Sequence, residues 1–163
     1  MNGISVTLRA LYRGEFRLAN ELAAAAERHS AEHGIHYVAM DLAQWSDQHH
    51  RQLADVGRNH GLELEGSPEQ SSPGPVPAGL ETPFEAVGHA PEPGLVLLCD
   101  LHRLHLGAVS NSLYWEMLAQ AAQATEDIRL LRLATACHPR TLRQMRWTNT
   151  MLKDLAAQAL TSV

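Results

Sequence analysis

The chain has 163 residues, 45% hydrophobic and 19% charged, with a formal net charge of -5. That length suits one domain with a real core, and the composition is that of a globular protein. The acidic balance excludes non-specific nucleic-acid binding, which needs a basic face to replace phosphate counterions.

The opening stretch, MNGISVTLRALYRGEF, lacks the continuous apolar centre of a signal peptide because Arg9, Arg13 and Glu15 interrupt it. No run reaches the ~20 apolar residues of a membrane span. The best one, GLVLLCDLHRLHLGAV, is cut by Asp100, His102, Arg103 and His105. Cys99 and Cys137 fall in different expected helices and read as buried thiols of a reducing compartment, so the expected location is cytoplasmic.

The spacing predicts a first helix over about 5–33, with Leu8, Leu11, Leu18, Leu22, Ala25 and His29 on one stripe and Glu15 among them. Gly34 is the expected stop. A second helix is expected over about 35–60, with the stripe Val38, Leu42, Trp45, His49, Leu53 and Val56, ended by Gly61. A short turn between them makes the pair antiparallel.

Residues 61–94 hold seven of the eight prolines, and the stretch SPEQSSPGPVPAG is too rich in Pro, Ser and Gly for regular structure. Pro83 suits the first position of a short helical turn over about 82–87, and Phe84 could pin the connection to the helices.

A third helix is expected over about 95–124, on the stripe Leu97, Leu101, Leu104, Ala108, Ser112, Trp115, Ala119 and Ala122. Leu113, Tyr114 and Met117 make its later half apolar on several faces, the pattern of a central helix or a subunit interface. A fourth helix over about 126–160 is expected to start at Thr125 as N-cap, with Glu126 and Asp127 in its first turn, and to kink or break at Pro139. It carries two stripes beyond the proline: Leu142, Met145, Leu152 and Ala156, and Trp147, Met151 and Leu155. Either one faces the other helices and the second a partner chain, or together they form one wide core face.

Two helical hairpins joined by about 30 residues, enough to travel the roughly 40 Å length of a helix, form an all-α layout in which the second and third helices run parallel. This layout resembles the ferritin-like superfamily of four-helix bundles with one long crossover. The resemblance implies a bundle fold and two metal ions held by a Glu from each of two helices and Glu-x-x-His from each of the other two. The chain has no Glu-x-x-His. Its nearest match, Asp47-Gln-His-His50, puts Asp47 on the solvent side of the second helix, and the fourth helix offers Gln144-Met-Arg-Trp147.

Four other polar residues lie on or beside core stripes: Glu15, His49, His105 and Gln144. Counting from the turns, all four fall within roughly 10 Å along the bundle axis at 1.5 Å per residue. Glu15, His49 and His105 form a candidate two-His-one-carboxylate site for iron, manganese or zinc, with Gln144 as an outer hydrogen-bonding partner. The competing account is a polar layer in which Glu15 and His49 satisfy each other. His29, His33 and His36 suggest a weaker surface contact for a metal. His60 and His138 suit helix C-terminal ends. Cys99 and Cys137 are not level, so no disulfide joins them.

Three functions follow as expectations. The first is a metal-free or degenerate-site interaction protein that pairs as a homodimer through Leu113, Tyr114, Met117, Trp147 and Met151. The second is a metal-binding protein with oxidoreductase activity. The third is a small-molecule binder with its pocket beside Pro139.

Overall fold

The structure is a computed structural model that describes residues 2–64 and 92–162. It is all-α, with four helices and no strand among the described residues: α1 (Gly3–Arg28), α2 (His33–Asn59), α3 (Pro93–Ala124) and α4 (Ile128–Thr161). Most of the 61–94 connection, with the helical turn expected near Pro83 and Phe84, lies outside the described residues.

Local chemistry sets the helix ends. The Asn2 side chain caps α1 by accepting from the Ser5 amide at 2.9 Å. α1 stops at Arg28, about five residues short of the expected end. Gly34 is not the stop. It lies in the first turn of α2, and the chain reverses through residues 29–32, where the Glu32 carbonyl accepts from the Ile35 and His36 amides. At Gly61 the expectation is met: φ is +69°, a left-handed conformation that glycine adopts without strain, and the Leu62 amide returns to the Gly57 carbonyl.

Between α3 and α4 the expected cap is wrong by two residues. Thr125 ends α3, its hydroxyl donating to the Ala121 carbonyl, and Glu126 takes the left-handed conformation at φ 56°. Asp127 is the N-cap of α4, accepting from the Leu130 amide at 3.0 Å. α4 then runs unbroken through Pro139, which leaves the Thr135 carbonyl without its helical donor. On either side of the proline the helix is tied to its neighbours, His138 bonding Ser112 of α3 and Arg140 donating to Gln48 of α2.

Contacts between helices give their directions. α1 meets α2 at Ala26 with His36 and at Glu15 with His49, and meets α3 at Arg28 with Asp100 and at Glu15 with Trp115. α4 meets α2 from His60 with Asp127 to Leu42 with Gln144, and meets α3 from Ser112 with His138 to Gly94 with Ala159. Numbers rise on one helix as they fall on the other in every pair. α2 and α3 therefore run in the same direction, at opposite corners of the bundle.

The apolar core falls into blocks. The first gathers Leu8, Leu11, Leu53, Trp115, Leu118 and Leu130 at the end where α1 begins. The second holds Leu18, Leu22, Leu42, Leu104 and Ala108, and a third, smaller one places Ile35, Leu97 and Leu101 against α4 at the other end. The core-facing line of α4 is Leu130, Leu133, Cys137, Thr141, Gln144 and Thr148, between the two stripes expected from its apolar residues and nearer the one with Trp147. Those stripes flank it: Trp147, Met151 and Leu155 are half-buried, and Leu142 is exposed.

Candidate functional site

Between the first and second apolar blocks lies a buried polar layer to which every helix contributes. Glu15 of α1 and Ser46 and Thr141 of α2 and α4 are 0% exposed, and His49 of α2, Asn111 of α3 and Gln144 of α4 are 1% exposed. Helical spacing explains the grouping, since Ser46 and His49, and Thr141 and Gln144, are each three residues apart and share a face.

Glu15 is the hub. Its Oε1 accepts from His49 Nδ1 at 3.2 Å and from Trp115 Nε1 at 2.9 Å. The His49 and Trp115 rings meet edge-on, with centroids 5.8 Å apart. Across the bundle, Gln144 Nε2 donates to the Leu42 carbonyl at 3.0 Å and to Ser46 Oγ at 2.9 Å. Thr141 donates to its own helix at the Cys137 carbonyl. Asn111 lies against the α1 backbone at Gly14, where a Cβ would collide with its Oδ1. Four atoms of the layer have no hydrogen-bond partner among the described residues: Glu15 Oε2, His49 Nε2, Asn111 Nδ2 and Gln144 Oε1.

Cys137 borders this layer, and its thiol donates to Gln52 Oε1 at 3.6 Å. Burial, with the charge of Glu15 nearby, pushes the thiol up to about 12. It stays protonated at neutral pH, which makes it a poor nucleophile.

The proposed metal set divides. Glu15 and His49 come together, and Gln144 is buried in the same layer. His105 stands apart: it is half-buried, and its Nδ1 donates to Thr148 Oγ1 at 2.8 Å. Glu15 bonds Trp115, and ten residues of α3 from Trp115 back to His105 are about 15 Å along the axis. Counting from the turns missed this stagger between helices. Among the described residues no three His, Cys, Asp or Glu side chains gather to hold a metal ion.

The remaining histidines serve the bundle. His36 Nδ1 donates to the Ala26 carbonyl at 2.7 Å, and His29 Nε2 donates to Asp100 Oδ2 at 2.7 Å, so with His33 exposed the surface trio does not form. His60 caps α2 and also bonds Asp127, whereas His138 lies inside the unbroken α4 and bonds Ser112 at 2.9 Å. Asp47 pairs with Arg51 on the exposed face, and His50 stacks on Tyr12 at 4.0 Å.

In the sequence Asp100 reads only as a break in an apolar run. In the fold it is 6% exposed and receives Arg28 and His29 at the end of α1. Beside it burial pushes the Glu21 carboxyl above the usual carboxylate range, with Arg103 and Arg17 opposing the shift. The groove that the end of α4 helps to line lies away from Pro139.

No family model, curated protein or solved structure matches the chain. No helix of the described residues is long and apolar enough to cross a membrane.

Proposed function

We propose that the chain is a ferritin-like bundle that keeps the positions of a di-metal site while most of the ligands are gone, and that it acts as a metal-free interaction protein, a homodimer of the cytoplasm. The buried layer carries this reading. Ferritin-like carboxylate proteins take a Glu from two helices and Glu-x-x-His from the other two. Here α1 and α3 offer Glu15 and Asn111, and α2 and α4 offer Ser46-x-x-His49 and Thr141-x-x-Gln144, all six at most 1% exposed. Only Glu15 and His49 retain ligand chemistry. That donor set does not fit a pair of ions, which needs several carboxylates to bridge and balance the charge. The common direction of α2 and α3 supports the crossover layout.

Pairing is supported by the outer face of α3, where Leu106, Leu113 and Met117 are 38%, 54% and 51% exposed. Spacings of seven and four put them on one stripe. Light scattering on the purified chain is the test: a dimer that becomes a monomer on Leu113→Lys with Met117→Lys agrees, and a monomeric parent chain overturns the pairing.

The alternative is a chain that binds iron, manganese or zinc, with oxidoreductase chemistry. It is favoured by the unpartnered Glu15 Oε2 and His49 Nε2. Elemental analysis separates the two readings. A tightly held ion in each chain, lost in His49→Ala with the helical CD signal intact, would establish the metal reading and end the metal-free one.

A further inference from the structure

Where α2 and α3 begin and α4 finishes, the helices part around a groove of about 680 Å³. Its interior is apolar: Ile35 and Val38 from α2, Leu97 from α3, and Trp147, Met151 and Leu155 from α4. One flank is closed because α3 and α4 touch at Gly94, where a Cβ would meet the Ala159 Cβ at 3.3 Å. At Gly34, by contrast, an added Cβ would meet nothing within 4 Å. The volume is that of a small-molecule site, typically about 300–1,000 Å³.

Charge at the rim selects the ligand. Glu32 and Glu92, both exposed, are among the lining residues, and the described lining contains no Lys or Arg. Each glutamate precedes a helix, and neither side chain makes a capping hydrogen bond to its own helix amides. The two helix N-termini contribute about half a positive charge each, which two full negative charges outweigh.

We infer that this groove binds a small amphipathic amine, its apolar body among Leu97, Trp147, Met151 and Leu155 and its ammonium group beside Glu32 and Glu92. The inference is independent of the buried layer and of the outer face of α3.

Calorimetric titration of the full chain with n-octylammonium, n-octanol and n-octanoate tests it. Octylammonium binds at least about tenfold tighter than the other two, a difference of ~1.4 kcal/mol. Glu32→Gln with Glu92→Gln, both at exposed positions, brings octylammonium down to the octanol level, and Met151→Arg removes binding of every probe. Octanoate or octanol binding as tightly as the amine overturns the inference, as does the absence of binding or affinity unchanged in the glutamine variant. A dimer dispersed by Met151→Arg would assign the groove to a second copy of the chain and overturn it equally.

Discussion

Glu15 shows what one buried carboxylate does to its neighbours. One oxygen takes two donors and the other has no partner among the described residues. Removing the carboxylate alone leaves His49 and Trp115 with buried donors unsatisfied. Glu15→Leu should therefore cost about 3–5 kcal/mol, measured by urea unfolding. Glu15→Leu combined with His49→Leu removes both members of the pair and should recover most of that loss. Cys137 makes a pH prediction. Its thiol is pushed up to about 12 in the fold, against an ordinary value of 9.0. A raised value means that the folded state holds its proton while the unfolded chain has lost it. The contribution is fully present below about pH 9 and is lost as pH rises toward 12. Thiol-labelling at pH 8 should modify the half-buried Cys99 well before Cys137, and Cys137 only once the chain unfolds. Comparable rates at the two thiols in the folded chain would contradict this.

At the scale of the helix, α4 contains the proline and the polar half of its own core face. Pro139→Ala returns a donor to the Thr135 carbonyl and should stabilise the chain by up to ~3 kcal/mol, read as a higher midpoint in urea. The opposite outcome awaits Gly14 on α1. Gly14→Ala drives a Cβ into Asn111 and should destabilise, whereas Gly14→Ala with Asn111→Ala should largely relieve the clash. The helices themselves were legible as apolar residues at three- and four-residue steps. Glu15 and His49 stood on those stripes, and their pairing could be anticipated. Ser46, Asn111 and Thr141 could not, because small polar residues on a core face look like interruptions of it. On α4 the buried line is polar through Thr141, Gln144 and Thr148. The apolar residues on either side therefore drew attention to two flanks. The signal that would have found the layer is the repeated polar pair at i and i+3, Ser46 with His49 and Thr141 with Gln144. Asp47 with His50, one position on, has the same spacing but the wrong face.

At the scale of the molecule, the ends of the bundle are tied across hairpins. His29 and Arg28 hold Asp100 where α3 begins, and His60 holds Asp127 where α4 begins. Asp127 also caps α4, so Asp127→Ala removes two bonds and should cost about 1–2 kcal/mol in urea unfolding. The length of the connection made a parallel course of α2 and α3 possible without requiring it; the contacts between helices carry their directions. The stagger that separates His105 from Glu15 could not be read from that length, because it depends on how side chains on different helices interlock.

The buried layer also divides the molecule as a mechanical object. Apolar packing on its two sides is not continuous, so loosening at one end need not spread to the other. The groove end, where residues 157–161 of α4 are mostly exposed and the groove is open, should breathe on its own. Amide hydrogen exchange should run fast along that last stretch of α4 while amides over 132–138, behind the layer, exchange only with global unfolding. A common rate along the helix would mean that the layer couples the two ends instead of insulating them.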